Sequence, residues 1–131
     1  MFKHYLELNP PTRTEVYELK ICKTNAMPFN AVKDHQLAGL MLSREGAYSK
    51  IADAPIFAGN KTRFTKPKPY DCHYIIGAKP YIVIMYYIPR KPKNTYIIDL
   101  DSFIYEIDTS ERKSLTEERA SVIADKHIIL K

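Results

Sequence analysis

Residues 16–22 read Val16-Tyr17-Glu18-Leu19-Lys20-Ile21-Cys22, and the alternation in this stretch decides the fold class. Its length, its β-branched residues and its period of two predict a strand. On a strand, Glu18 and Lys20 share a face with their Cα atoms about 6–7 Å apart. Tyr17, Leu19 and Ile21 point the other way, and their apolar character predicts that this second face meets the core. Glu15 lies three residues before Glu18, so a regular strand turns it to the opposite face.

Downstream, Pro28 followed by Phe29-Asn30 marks a turn into a helix over roughly residues 30–42. Val32, Gln36, Leu40 and Met41 lie along one side of it, with Lys33 and Asp34 facing away. Gly46 closes this region, Ala47 to Ile51 suits a short strand, and residues 53–69 suit a long loop, which in a compact domain is usually functional or disordered. Tyr70 to Ile76 and Tyr81 to Ile88 read as strands joined across Gly77-Ala78-Lys79-Pro80 in the manner of a hairpin. The second of these is apolar on both faces, which predicts a central, doubly covered strand. Thr95 to Leu100 returns as another strand, and Asp101-Ser102 can cap a helix from Phe103. Ser114-Leu-Thr-Glu117 has capping-box spacing for a last helix to about Asp125, and residues 2–8 suit a short helix stopped by Pro10-Pro11. The expectation is an α/β chain with a mixed central sheet of about five strands flanked by helices.

The 131 residues suit one domain, residues 1–131. Hydrophobic residues at 45% and charged residues at 27% are ordinary globular proportions. No apolar run approaches the ~20 residues that cross a bilayer, and Met1-Phe-Lys-His-Tyr-Leu-Glu-Leu8 carries no signal-peptide cleavage site. Cys22 and Cys72 are too few for a disulfide scaffold and have no metal-ligand spacing. A soluble, cytoplasmic chain with no membrane partner is the expectation.

The net charge of +5 favours an anionic partner. Lys61, Arg63, Lys66 and Lys68 form one basic cluster, and Arg90, Lys91 and Lys93 form a second. Both contain prolines, Pro67 and Pro69 in one and Pro89 and Pro92 at the other, which predicts exposed loops. Such loops suit phosphate backbone, whose contacts supply affinity with little sequence information. No Gly-rich phosphate loop, zinc spacing or nucleophile elbow is present.

Glu-Leu-Lys alone is a surface ion pair in most proteins, but its surroundings narrow the choice. Glu18-Leu-Lys-Ile-Cys-Lys-Thr24 leads through Met27-Pro-Phe-Asn-Ala-Val-Lys33 into Asp34-His-Gln-Leu-Ala-Gly-Leu40. This order resembles the Glu-x-Lys strand and following Gln-bearing helix of the PD-(D/E)XK nuclease superfamily, in particular its small phage and bacterial Holliday-junction resolvase-like members. Lys68-Pro-Tyr-Asp71, Lys79-Pro-Tyr-Ile-Val-Ile84 and Arg112-Lys-Ser-Leu-Thr-Glu-Glu-Arg-Ala120 resemble later blocks of the same group.

The resemblance implies a restriction-endonuclease-like fold and a metal-dependent endonuclease that hydrolyses DNA phosphodiesters, acting on Holliday junctions or other branched DNA. It implies that Glu18 binds Mg²⁺ or Mn²⁺, that Lys20 steadies the attacking water or the scissile phosphate, and that Gln36 orients substrate or completes the site. Hard oxygen ligands suit these ions. The family's usual acidic residue before the Glu-x-Lys strand has no counterpart, because that position reads Pro11-Thr-Arg-Thr-Glu15. Either Glu15 substitutes as a metal ligand or Asp71 supplies it from a later strand; Asp71 is preferred because Glu15 turns away from Glu18. Glu7 is the remaining acid in the first segment. His73 shares a face with Asp71, His35 is expected to face outward, and Tyr86 and Tyr87 are expected to pack. Symmetric cleavage of a four-way junction requires two sites and so implies a homodimer. The alternative is a catalytically incomplete nuclease-fold protein that binds DNA or acts as an accessory or inhibitor in a phage or mobile element.

Overall fold

The computed structural model describes residues 14–50 and 72–130. Strand β1 (Glu15–Cys22) is followed by a short strand β2 (Ala26–Pro28), a single 3-10 turn, helix α1 (Asp34–Glu45) and strand β3 (Ala47–Lys50). Then come β4 (Cys72–Ile75), β5 (Lys79–Tyr86), β6 (Lys93–Asp99), α2 (Leu100–Thr109), β7 (Ser114–Thr116), α3 (Glu117–Ile123) and β8 (Lys126–Leu130). The protein is mixed α/β. Its main sheet has four strands in the order β1-β5-β6-β8, where about five were expected, and two separate two-stranded pairs join β2 with β7 and β3 with β4.

Strand β1 runs parallel to β5 in an eight-residue register from Glu15 opposite Lys79 to Cys22 opposite Tyr86. The β5–β6 and β6–β8 pairings are antiparallel. A parallel pair needs a crossover, and α1 lies within it. Gly77 N–H donates to Arg44 C=O at 3.0 Å and Ala78 N–H to Ser43 C=O at 3.2 Å. Carbonyls at a helix end have no partner within the helix, so these two bonds seat the start of β5 on the last turn of α1. The expected hairpin across Gly77-Ala78 is therefore corrected: β4 pairs with β3, with Tyr48 opposite Tyr74, and not with β5.

The core occupies one side of the sheet. Ile82, Ile84 and Ile98 from the strands and Leu100 and Phe103 from α2 are fully buried. They join Leu40 of α1 and Ala120 of α3 in a single cluster. Phe103 meets Phe29 edge-on at 5.9 Å between ring centres. The Tyr86 hydroxyl donates to the Leu115 carbonyl at 2.9 Å, tying β5 to β7, and burial raises the pKa of this phenol. Thr116, not Ser114, caps α3, its side chain accepting from Arg119 N–H.

Among the described residues, the helices pack on one side of the main sheet. Odd-numbered residues of β1, β5 and β6 project from the side away from the core cluster. Tyr17, Leu19 and Ile21 are 45%, 71% and 65% exposed. The expectation that they face the core is corrected by the register: Glu18, Lys20 and Cys22 align with Ile82, Ile84 and Tyr86 and share their side.

Thr95 sits on the side away from the core cluster, between Met85 and Ile128. It is buried, and its hydroxyl has no hydrogen-bond partner among the described residues. An unmet buried hydroxyl costs about 1–3 kcal/mol. Thr95→Val keeps the β-branched shape and removes that cost, so chemical denaturation should find the variant more stable by about 1 kcal/mol.

Candidate active site

Glu18 and Lys20 project beneath α1 from the covered side of β1, where a strand of this sheet would ordinarily carry apolar residues. Lys20 Nζ lies 3.0 Å from Glu18 Oε1. It also donates to Gln36 Oε1 at 2.9 Å. The two charged side chains are 24% and 18% exposed, Glu18 being the more open. One ammonium is therefore shared by two oxygens at the boundary between core and solvent.

Gln36 is held by its own helix. It occupies the third position of α1, and its Oε1 accepts from Lys33 N–H at 2.9 Å. This is the returning half of a capping box, in which the side chain satisfies a backbone donor left over at the helix start. The same oxygen thus caps α1 and receives Lys20, which locks the lysine to the helix. Gln36 is a positioning residue for Lys20, with its amide NH₂ unpaired among the described residues.

The structure brings together Glu18, Lys20 and Gln36. Glu15 lies on the other side of β1, where the Tyr17 hydroxyl donates to its Oε2; it does not join Glu18. Asp71, Lys61, Arg63, Lys66 and Lys68 lie outside the described residues, as does Glu7. Among the described residues no group of three or more His, Cys, Asp or Glu side chains is placed to hold a metal ion. The Glu18 carboxylate is a hard oxygen donor of the kind Mg²⁺ and Mn²⁺ take, and its Oε2 has no partner among the described residues. The site as described supplies one carboxylate, Glu18.

Arg90 and Lys91 occupy the turn between β5 and β6, and Lys93 opens β6. Because β1 and β5 run parallel, this turn lies at the end of the sheet toward which Lys20 points along its strand. Arg90 has φ 66°, a left-handed conformation that costs a bulky residue about 1–3 kcal/mol. Lys91 N–H closes the turn onto Ile88 C=O at 3.1 Å. Lys93 Nζ sits over the Tyr87 ring, 5.4 Å from its centre. His73 is exposed on β4 opposite Ser49, and His35 is exposed on α1. Tyr86 packs as expected, whereas Tyr87 is 38% exposed.

A second polar constellation has no signal in the sequence. Glu117 Oε1 accepts from Asn94 Nδ2 at 2.8 Å and from the Tyr96 hydroxyl at 3.2 Å. Asn94 Oδ1 lies 2.9 Å from His127 Nε2, and the His127 ring stacks on Tyr96 at 4.6 Å. Burial and the Glu117 charge raise the pKa of Tyr96, so it remains a hydroxyl donor. The bonded pairs lie 21 to 33 positions apart in the chain, with the β6–β8 pairing bringing in His127 and the start of α3 bringing in Glu117.

No family profile, curated protein or solved structure matches the chain.

Partly buried ion pairs seldom justify themselves by stability, since desolvation offsets the attraction. Replacing both partners by apolar residues is often neutral or stabilising, whereas removing one leaves a charge without its counterpart. Glu18→Val/Lys20→Val should therefore be at least as stable as wild type in urea titrations. Lys20→Met alone should lose about 1–2 kcal/mol, short of the ~3–5 kcal/mol of a fully buried pair because both groups retain some solvent.

Proposed function

We propose that the chain is a metal-dependent endonuclease that hydrolyses DNA phosphodiester bonds, with branched DNA of the four-way-junction type as its substrate and a restriction-endonuclease-like arrangement of its sheet. The observation that carries the reading is the convergence of Glu18, Lys20 and Gln36 beneath α1. These are the positions that the Glu-x-Lys strand and its Gln-bearing helix would contribute, and they spend a charged pair where the neighbouring strand places Ile82 and Ile84. A local rule broken at one place in an otherwise consistent core is where function is expected.

In this reading Glu18 holds a divalent ion, and Asp71 supplies a further carboxylate. Bound there, Mg²⁺ or Mn²⁺ would polarise a phosphate and acidify a water. Lys20, aimed by Gln36 and Glu18, offsets the negative charge that builds on the phosphate during attack. Preorganised charge of this kind costs no rearrangement at the moment of reaction. The Gln36 amide NH₂ can donate to a phosphate oxygen without giving up its hold on Lys20. Arg90 and Lys91 on the β5–β6 turn, together with the cluster at Lys61, Arg63, Lys66 and Lys68, grip the backbone.

A second reading has one observation in its favour, that no group of three or more His, Cys, Asp or Glu side chains is placed to hold a metal ion among the described residues. It is a binding or accessory protein that keeps the fold without turnover. Metal dependence separates the two, because a binder has no requirement for Mg²⁺.

The test is cleavage of labelled four-way junction, duplex, single-stranded DNA and RNA with Mg²⁺, Mn²⁺ or EDTA. Junction cutting should appear only with metal, and Lys20→Ala should lower it by roughly 10²–10³-fold, the size found for loss of one charge-stabilising group. Asp71→Asn should abolish it. Tight, salt-sensitive binding with no cutting of any substrate would leave the binding reading.

A further inference from the structure

Strands β3 and β4 form a two-stranded antiparallel ribbon separate from the main sheet. Tyr48 and Tyr74 are directly opposite each other in it, and Lys50 is opposite Cys72 two positions further on. Residues opposite one another, and residues two apart along a strand, share a face. Tyr48, Tyr74 and Lys50 therefore stand on one side of the ribbon, with Ser49 and His73 on the other. The two tyrosines are 67% and 60% exposed, whereas Tyr81, Tyr86 and Tyr96 of the main sheet are buried. A two-stranded ribbon is marginally stable by itself, and two rings left in water forgo burial that would support it.

Tyr74 is seated against bare backbone. Gly46, between α1 and β3, has φ 134°, and a Cβ there would stand 2.5 Å from the Tyr74 hydroxyl oxygen. The ring thus reaches back over a glycine while much of its surface stays open to solvent.

The charge of the chain is concentrated in the stretch that contains this ribbon. Residues 44–79 hold seven lysines and arginines against three acids, Glu45, Asp53 and Asp71, a net +4 of the chain's +5. Of these cations, Arg44 is engaged with Asp101 and Lys79 sits over Tyr81. The 21 residues that connect Lys50 to Cys72 carry Lys61, Arg63, Lys66 and Lys68. A ligand that fits combines closely spaced negative charge with flat rings that can lie on tyrosine. Single-stranded nucleic acid has both, because every unpaired base offers a π-face. A duplex offers the charge but keeps its base faces stacked on one another.

We propose that Tyr48 and Tyr74 form a stacking platform for unpaired nucleobases, with Lys50 against the adjoining phosphate. Gly46 lies ten residues beyond Gln36, about 15 Å along α1, so the platform is separate from the Glu18–Lys20 pair. It rests on the nucleic-acid part of the reading above and not on cleavage.

The experiment is fluorescence anisotropy of end-labelled oligo(dT), an abasic deoxyribose-phosphate strand of equal length and a duplex, titrated with the full chain in EDTA. Wild type should bind oligo(dT) at least about fivefold more tightly than the abasic strand, the equivalent of one stack at the ~1 kcal/mol lower end. Tyr48→Thr/Tyr74→Thr keeps strand-forming residues. It should melt as wild type, lose that preference and leave abasic and duplex affinities unchanged. Tyr48→Phe/Tyr74→Phe should keep the preference, and Lys20→Ala should leave it untouched. Lys50→Ser should weaken oligo(dT) and the abasic strand alike. Should the threonine variant fail to fold, photocross-linking of a 5-bromouracil strand to wild type decides the matter: adducts at Tyr48 or Tyr74 support the platform, and adducts only elsewhere overturn it. Equal wild-type affinity for oligo(dT) and the abasic strand, or a preference that survives in the threonine variant, would overturn the platform and leave phosphate binding standing. Failure to bind any nucleic acid would overturn both. Displacement of the oligonucleotide by phosphatidylserine vesicles, lost in the threonine variant, would assign the face to a membrane and overturn the proposal.

Discussion

The in-register parallel pairing of β1 with β5 is the constraint on which the other features depend. Strand residues alternate between sides with a period of two, so a slip of one position would exchange every side chain of β1. The observed register sends Glu18, Lys20 and Cys22 beneath the helices and sends Tyr17, Leu19 and Ile21 out. It is secured at its start by Lys79 N–H donating to Thr14 C=O at 2.9 Å, and past its end by Tyr87 N–H donating to Cys22 C=O at 2.7 Å. The charged pair and the apolar outer face are two consequences of one choice of register.

That choice was not legible from β1 alone. Alternation announces a strand and sorts its residues into two sets, but it does not say which set the helices will cover. The usual preference, apolar residues inward, points the wrong way here. What tips the balance is the partner strand: β5 is apolar on both sides and has Ile82 and Ile84 fully buried, so the core can tolerate a charged edge strand beside them. Lys20 is accepted at that edge because Gln36 and Glu18 supply oxygens, and a buried cation needs such partners.

Other features were legible to differing degrees. Seven main segments, α1, α2, α3, β1, β3, β5 and β6, lie where periodicity and turn residues place them, with ends shifted by a few residues. The site residues Glu18, Lys20 and Gln36 could be picked out as a set, although their burial could not. Strand β8 escaped notice because Lys126-His-Ile-Ile-Leu130 neither alternates nor carries a turn signal, and it is specified by pairing with β6. The hairpin assigned to Gly77-Ala78 failed because those two N–H groups go to the end of α1. A turn-like dipeptide does not disclose which carbonyls will claim its donors. The β2–β7 pair is likewise a long-range event, joining residues some 90 positions apart.

These relations make the helix-side surface of β1 chemically distinct from the rest of the molecule: a lysine aimed by a helix cap, a carboxylate with one oxygen to spare, and a basic turn beyond the strand end. The most direct test of its proposed role is a Mg²⁺ titration of the isotope-labelled full chain, followed by backbone amide and side-chain NH₂ resonances. The account predicts saturable shifts centred on Glu18, Lys20 and the Gln36 side chain, with Leu19-side and β8 resonances unmoved. Shifts confined to other residues, or none at millimolar Mg²⁺, would contradict it.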